Sequence, residues 1–290
     1  MNRLIRGTAG NNQIRFMASV TTGLVGEAAK RHMTSPVVSA ALGRLLTAGI
    51  LMATTMKNDK DILTLQIKCD GPIKNLLVIA DSKGNVKGYP GVNIVDIPLK
   101  SNGKLDVSAA IGSGMLNVVK DIGLKEAYTG QTELISGEIA EDLTYYYYHS
   151  EQTPSIIALG VLVDTDYTIK HSGGIMIQLL PSAEESIVLA LENNMKDVKS
   201  VTELLDAGLG LEGVIEHYLK GIDFKVMDEI EPRFYCDCTE EKVKRVMISL
   251  GKDELSSMIN DEEKVSISCN FCNSTYEYNL EDLQEIVNRL

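Results

Sequence analysis

Four of the five cysteines lie in the last fifth of the chain, where they form two close pairs. Cys236 and Cys238 are separated by one residue, and thirty residues further on Cys269 and Cys272 are separated by two. Four thiolates from two such pairs can complete the tetrahedral shell of one zinc ion, and such sites usually hold a small domain together. The same pairs can instead oxidise to two short-range disulfides. Zinc and disulfides cannot both use these sulfurs, so the pattern predicts either a permanent structural zinc site or a redox switch.

The energetics of such a site couple metal binding to folding. Zinc binding by a small cysteine module contributes on the order of 10–16 kcal/mol of apparent free energy, whereas a whole domain is stable by only about 5–15 kcal/mol. The segment 232–290 has 59 residues, which is close to the lower limit of independent stability. We therefore predict a module that is folded when reduced and zinc-bound, and unfolded when oxidised and metal-free.

The composition is that of a soluble, globular protein. Of the 290 residues, 44% are hydrophobic, and the mean hydropathy is close to zero. The longest apolar run, 37–56, contains Arg44 and many small residues, which favours a buried core helix over a membrane span. The N-terminal residues show no apolar signal-peptide region, so we expect a cytoplasmic protein. In that reducing compartment, cysteine clusters serve metal or redox chemistry more often than permanent disulfides.

The net charge of −12 is unevenly distributed along the chain. Residues 1–181 carry a net charge of +1, residues 182–231 a net charge of −8, and residues 232–290 a net charge of −5. Phosphate binding requires a basic face, so this acidity argues against nucleic acid as a partner.

The hydrophobic patterns predict an α+β fold in three segments, of which the first, 1–181, is a mixed α/β core domain. Its predicted strands are Leu4–Thr8, Gln13–Val20, Asp61–Cys69, Ile73–Ala80, Val86–Tyr89, Ile156–Val163 and Gly174–Leu180. Its predicted helices are Thr22–His32, Val37–Met56 and Glu138–Tyr148.

The second segment, 182–231, is called the connector below and is predicted to be an acidic chain of short helices. Ser182 with Glu185, and Ser200 with Glu203, both fit a capping box at a helix start, and 211–219 fits a third helix. Helices this short are marginal in water and need a docking surface. The connector is therefore either a packed subdomain or a conditionally folded, metastable linker, and its high charge favours the linker.

The third segment, 232–290, is predicted to be a small C-terminal zinc or redox-switch domain. Glu240–Leu250 fits a helix, Val265–Cys269 and Thr275–Asn279 fit a short hairpin around the second cysteine pair, and Leu280–Leu290 fits a last helix. Asp237, between the first two cysteines, is expected to face solvent and not the metal.

Several stretches resemble the redox-regulated 33-kilodalton chaperonins, a family of bacterial heat-shock holdases. The tail is the most specific part of the resemblance, and the overall order and length of the chain agree with it from end to end. The similar stretches are Leu4–Ala9, Gly173–Pro181, Arg233–Glu241, Ser249–Leu255 and Cys269–Asn273 with Tyr276. Thr239 stands where the family usually has Ser, and Glu241-Lys242 replaces a common Glu-Arg; neither change involves a cysteine.

This resemblance implies an ATP-independent chaperone with no enzymatic activity. It implies one zinc ion on Cys236, Cys238, Cys269 and Cys272 in the reduced, inactive state. Oxidants would then link Cys236 to Cys238 and Cys269 to Cys272, release the zinc and unfold the tail. The connector would lose its support and expose apolar surface to unfolding client proteins. The active form is expected to be a homodimer, with no nucleic-acid or membrane partner.

Two other classes of function remain open at the level of sequence. A zinc-ribbon-like adaptor for nucleic acid or protein is one, and Lys242, Lys244 and Arg245 form its local basic cluster. An enzyme is the other, but the chain offers no convergent set of acid, base and nucleophile, and its four histidines are scattered. The oxidation-activated holdase explains more of the chain than either alternative.

Overall fold

The computed structural model of the chain describes residues 2–260 and 265–288. Within them the chain forms two compact units, Met1–Tyr235 and Cys236–Leu290. Both units combine helices with mainly antiparallel sheets, which confirms the predicted α+β class. The boundaries predicted at 181 and 231 stay a prediction, and the last two residues of the predicted helix 280–290 lie outside the described residues.

The first unit contains eleven strands and seven helices among its described residues. In chain order these are β1 (Arg3–Ala9), β2 (Ile14–Val20), α1 (Thr22–His32), α2 (Pro36–Ala53), β3 (Ile62–Cys69), β4 (Asn75–Asp81), β5 (Asn85–Pro90), α3 (Val107–Ile111), β6 (Gly114–Asp121), β7 (Tyr128–Glu133), α4 (Ala140–His149), β8 (Ser155–Val163), β9 (Ile169–Leu179), α5 (Glu185–Met195), α6 (Val201–Asp206), α7 (Leu211–Tyr218), β10 (Phe224–Ile230) and β11 (Arg233–Phe234).

Two sheets organise this unit. The five-stranded sheet has the order β10-β1-β2-β9-β8, and the six-stranded sheet has the order β11-β5-β4-β3-β6-β7. Helix α2 packs on β8 and β9 of the first sheet and on β4 and β5 of the second, so it forms the core between them. It is the one helix in the described part of the chain that is long and apolar enough to cross a membrane, and 89% of it is buried inside the unit. This burial fits the predicted core helix.

The first hairpin depends on residues that tolerate a left-handed backbone. Gly10, Asn11 and Asn12 have φ values of 56°, 53° and 64°. Glycine adopts such angles without strain, and asparagine does so more readily than most residues. The turn at these three residues, between the first two predicted strands, therefore sets the register of β1 against β2, in which Ala9 faces Ile14.

The connector helices cover the outer face of the five-stranded sheet, meaning the face opposite α2. Alternate residues of β1, β2 and β9 point to this face and form one apolar cluster with α5, α6 and α7. The buried members are, from the sheet, Ile5, Ala9, Ile14, Phe16, Ala18, Ile175 and Ile177, and from the connector, Leu191, Val201, Leu204, Leu205, Leu211, Val214, Ile215, Tyr218, Leu219 and Ile222.

The two predicted capping boxes have different outcomes. At α6 the box is confirmed: Ser200 Oγ accepts from Glu203 N at 3.3 Å, and Glu203 Oε2 accepts from Ser200 N at 2.9 Å. At α5 the prediction was wrong, because the N-cap is Glu184 and it makes no side-chain cap bond. The main-chain N–H of Glu184 instead donates to Gln13 Oε1 at 2.7 Å. A tertiary hydrogen bond therefore fixes this helix start in place of a local one.

A buried carboxylate organises the loop before α4. Asp142 accepts hydrogen bonds from the main-chain N–H groups of four loop residues, at 2.8 to 3.3 Å. These donors are Ile135, Ser136, Gly137 and Ile139. Ile139 has a φ of 70°, an unfavourable angle for a branched residue, so the loop requires this anchor.

Replacing Asp142 by Asn should therefore destabilise the first unit by about 1–3 kcal/mol, since the Ile139 amide then faces an NH₂ group in a buried position. Urea unfolding monitored by circular dichroism measures the change. Glu141→Gln is the matched control, because that neighbouring carboxylate is exposed. Equal stability of the two variants would contradict the anchoring role.

The second unit is small and forms its own core. Its described elements are α8 (Glu240–Ile248), α9 (Lys252–Asn260), β12 (Val265–Ser268), β13 (Thr275–Tyr278) and α10 (Leu280–Asn288). Strands β12 and β13 pair antiparallel, as predicted for the hairpin. Among the described residues, the buried side chains of its apolar core cluster are Val243, Met247, Leu255, Tyr278, Leu283, Ile286 and Val287. Seven buried side chains make a thin core, which is typical of a domain that depends on a metal or disulfides.

Candidate metal centre

The four cysteines of the second unit meet at one point. Cys236 and Cys238 lie in the segment before α8, and Cys269 and Cys272 lie at the turn between β12 and β13. All four Sγ atoms lie within 4.8 Å of one another. The Sγ atoms of Cys236 and Cys269 are 3.8 Å apart, and those of Cys238 and Cys272 are 3.1 Å apart. In a tetrahedral zinc site with Zn–S bonds of about 2.3 Å, the sulfurs are separated by about 3.8 Å. The cluster therefore has the size and the donor set of a four-thiolate zinc site.

The tail hairpin positions the second pair. Asn273 has a φ of 57°, which reverses the chain directly after Cys272. The N–H of Cys269 donates to the Ser274 carbonyl at 2.9 Å, and the N–H of Asn273 donates to the Cys269 carbonyl at 2.8 Å. These bonds close a tight turn that directs both sulfurs to the same side.

The surroundings of the sulfurs affect their protonation unequally. Burial raises the pKa of the Cys236 and Cys238 thiols. Burial also acts on Cys272, but hydrogen bonds from Ser274 and Cys238 outweigh it and lower the pKa of Cys272 to about 7. Four thiolates packed this closely repel one another, and a bound divalent cation is the usual compensation.

Tyr276 is a neighbour of the cluster whose role the cysteine spacing did not reveal. Its hydroxyl lies 3.2 Å from the Cys238 carbonyl oxygen, to which it donates, and 3.4 Å from Cys238 Sγ. Groups of this kind orient metal ligands. Sequence reasoning included Tyr276 only as part of the family-like tail, because the contact joins residues 38 positions apart.

Asp237 and the fifth cysteine can also be placed in the structure. Asp237 is half exposed and forms an ion pair with Lys242, in agreement with its expected position toward solvent. Cys69 ends β3 in the first unit, outside the cluster, and its side chain is partly exposed. Burial nevertheless raises the pKa of the Cys69 thiol.

The fold and the cluster together define a class of protein: a two-unit α+β chain whose smaller unit carries four cysteines positioned to hold a metal ion. Comparison with known proteins narrows this class. The family model described as Hsp33 protein matches residues 2–279. The chain is 49% identical to the 33 kDa chaperonin of Lachnoclostridium phytofermentans and 43% identical to that of Clostridium beijerinckii, and each match covers 99% of this chain and 98% of the relative.

A solved structure agrees with the sequence comparisons. The crystal structure of the 33 kDa chaperonin from Thermotoga maritima superposes with a TM-score of 0.89 at 34% identity, covering 99% of this chain and 98% of that one. The chain therefore belongs to the Hsp33 family of chaperones, which confirms the resemblance found in its sequence.

Proposed function

We propose that this protein is a cytoplasmic, redox-regulated, ATP-independent holdase that binds unfolding proteins after oxidation. The observation that carries the proposal is the meeting of four cysteine sulfurs in a small unit with a thin core. A site of this kind makes folding of the unit depend on the thiolate state.

In the reduced state, Cys236, Cys238, Cys269 and Cys272 would hold one zinc ion. Zinc, when bound, supplies the cross-link that the seven buried side chains of the second unit cannot replace. An oxidant such as peroxide would then take two electrons from each cysteine pair. One S–S bond forms per pair, linking Cys236 to Cys238 and Cys269 to Cys272, while each peroxide is reduced to water.

Unfolding of the second unit would affect the connector through the main chain that joins them. Phe234 of β11 pairs with Val86 of β5, and the N–H of Tyr235 donates to the Val86 carbonyl at 2.8 Å. The next residue is Cys236, so the anchoring of β11 ends where the cysteine module begins. We propose that unfolding after Cys236 loosens β11 and then the connector, which uncovers the outer face of the five-stranded sheet for client proteins. The active form would be a homodimer.

The adaptor alternative receives no support from the local charges. Both lysines in its basic cluster are paired with acids: Lys242 with Asp237, and Lys244 with Glu240 at 2.7 Å. A surface neutralised in this way is a poor binding site for phosphates.

The test compares reduced, zinc-loaded protein with peroxide-treated protein in suppressing aggregation of a chemically unfolded client, measured by light scattering. Strong suppression only after oxidation is the expected result. Equal activity in both states, or none in either, would contradict the switch.

Peptide mapping of the active form tests the pairing. Disulfides joining Cys236 to Cys269 and Cys238 to Cys272 are the alternative that the short distances between these sulfurs make possible. Finding them would overturn the proposed pairing within each motif.

A further inference from the structure

A group of basic residues lies at one end of the apolar outer face of the five-stranded sheet, and each is paired with an acid of the connector. These residues belong to 1–181, and their acidic partners belong to α6, α7 and β10. Arg3 pairs with Glu212 at 2.8 Å and with Glu229 at 2.7 Å, Lys104 with Glu203 at 3.7 Å, and Lys170 with Asp206 at 2.7 Å, while His171 lies 3.2 Å from the same Asp206 carboxylate. We call the three cations Arg3, Lys104 and Lys170 the cation rim.

The rim borders one end of the apolar cluster described above, where Arg3 of β1 faces Val20 of β2 and Val20 faces Gly173 of β9. Ile5 and Phe16 of the sheet contribute to its centre, while Arg3, on the same face of β1 as Ile5, reaches the acids at its periphery. Helix α6 lies close to β9, since a Cβ placed on Gly173 would come within 3.3 Å of Val201. The covered face thus offers two complementary features, an apolar centre and a positively charged end.

The connector carries apolar residues that pack on the centre of this face and acidic residues that reach the rim cations. In α6, Leu204 and Leu205 are buried while Glu203 and Asp206, which flank them, reach rim cations. Arg3 lowers the pKa of Glu212, and Lys170 lowers the pKa of Asp206, so both acids stay ionised at neutral pH. The segment that covers the face is therefore an amphipathic acidic chain.

We propose that the outer face selects its clients by charge as well as by apolar content, and prefers segments in which apolar residues are interspersed with carboxylates. This inference rests on the proposed function, in which oxidation removes the connector and leaves the rim cations without their acids. A client segment rich in Asp and Glu would then replace Glu203, Asp206 and Glu212 at the rim. An equally apolar but neutral or basic segment would make only the apolar contacts at the centre of the face.

A pair of chemically matched clients tests the proposal. Reduced, S-alkylated α-lactalbumin is an acidic chain that stays unfolded, and amidation of its carboxylates changes its charge while leaving its apolar side chains in place. Binding of each labelled form to peroxide-treated, full-length protein is measured by fluorescence anisotropy. We expect the carboxylate form to bind about fivefold to tenfold more tightly at about 0.05 M salt, and to lose most of this advantage at about 0.5 M.

Substitutions test whether the rim cations cause the preference for the carboxylate form. The triple variant Arg3→Gln, Lys104→Gln, Lys170→Gln should weaken binding of the carboxylate form and remove the preference for it. The matched control, Lys57→Gln, Lys60→Gln, Lys68→Gln, removes the same charge from the six-stranded sheet and the segment before it, and should keep the preference. The salt dependence of client binding by the wild-type protein tests the same charge preference without any substitution.

The outcomes separate this proposal from the one on which it rests. If oxidised wild-type protein binds both forms with equal affinity at low salt, charge selection is wrong and the holdase function stands. If the control variant loses the preference as fully as the rim variant, the rim is not its source. If oxidised wild-type protein binds neither form, the proposed function itself fails and the charge selection with it.

Discussion

Cys236→Ser is expected to abolish tight zinc binding and to unfold the second unit in fully reducing buffer. Three thiolates would remain where four sulfurs lie within 4.8 Å of one another. The seven buried side chains of the second unit form too small a core to replace a metal that supplies on the order of 10–16 kcal/mol. Zinc content measured by atomic emission, and amide hydrogen exchange across 236–260 and 265–288, report the two effects separately.

Cys69→Ser is the matched control for this experiment. It removes one thiol from the first unit, at the end of β3, and should change neither zinc content nor exchange in the second unit. One zinc per chain and protected amides in Cys236→Ser would show that this residue is not a ligand on which folding depends.

Leu204→Asp is expected to make the reduced, zinc-loaded protein suppress aggregation without oxidant. Leu204 is only 3% exposed and packs in the cluster between α6 and the outer face of the five-stranded sheet. An unpaired carboxylate there costs several kcal/mol, and α6, with six residues, has no stability of its own. The connector should therefore leave the sheet while the cysteine module stays folded. Light scattering of an unfolding client measures the gain, and limited proteolysis within 182–231 measures the release.

Leu209→Asp tests the same chemistry at a position five residues further on. Leu209 is 36% exposed, so the new carboxylate stays in water and the connector should remain docked. If Leu204→Asp increases proteolysis of the connector but leaves the reduced protein inactive, uncovering the outer face is insufficient for client binding. The client-binding surface would then have to lie elsewhere.

Much of the fold could be predicted where a helix or strand buries one face, because its sequence then shows a regular hydrophobic pattern. Helix α1 has the predicted bounds, and β3 and β4 alternate between buried and partly buried residues as predicted. The segment 91–137 was different: β7 is polar and largely exposed, so its sequence carries little hydrophobic signal. Strand β10 exposes Val226 and Met227 and pairs with β1, more than 200 residues away. Partners at that separation leave no local pattern.

The candidate site, like the fold, could be predicted from the sequence only in part. The cysteine spacing predicted which four sulfurs meet, because their chemistry is specific and few arrangements use it. The Ser274 and Tyr276 hydroxyls were not predicted as neighbours of the sulfurs, since serine and tyrosine serve many roles. Only the register of β12 against β13, in which Ser268 faces Thr275, places these groups beside the cysteines.

The position of β10 as the outermost strand of its sheet has a consequence for the activated state. This strand belongs to the connector, and its main chain hydrogen-bonds to β1 from Leu4 to Ala9. On the proposed function, release of the connector removes β10 and leaves without partners the donors and acceptors of β1 that point away from β2. Such an open edge accepts an extended chain of almost any sequence by strand addition. Activation would thus expose a backbone edge as well as side chains, and strand addition at that edge would add a sequence-independent contribution to the binding of unfolding proteins.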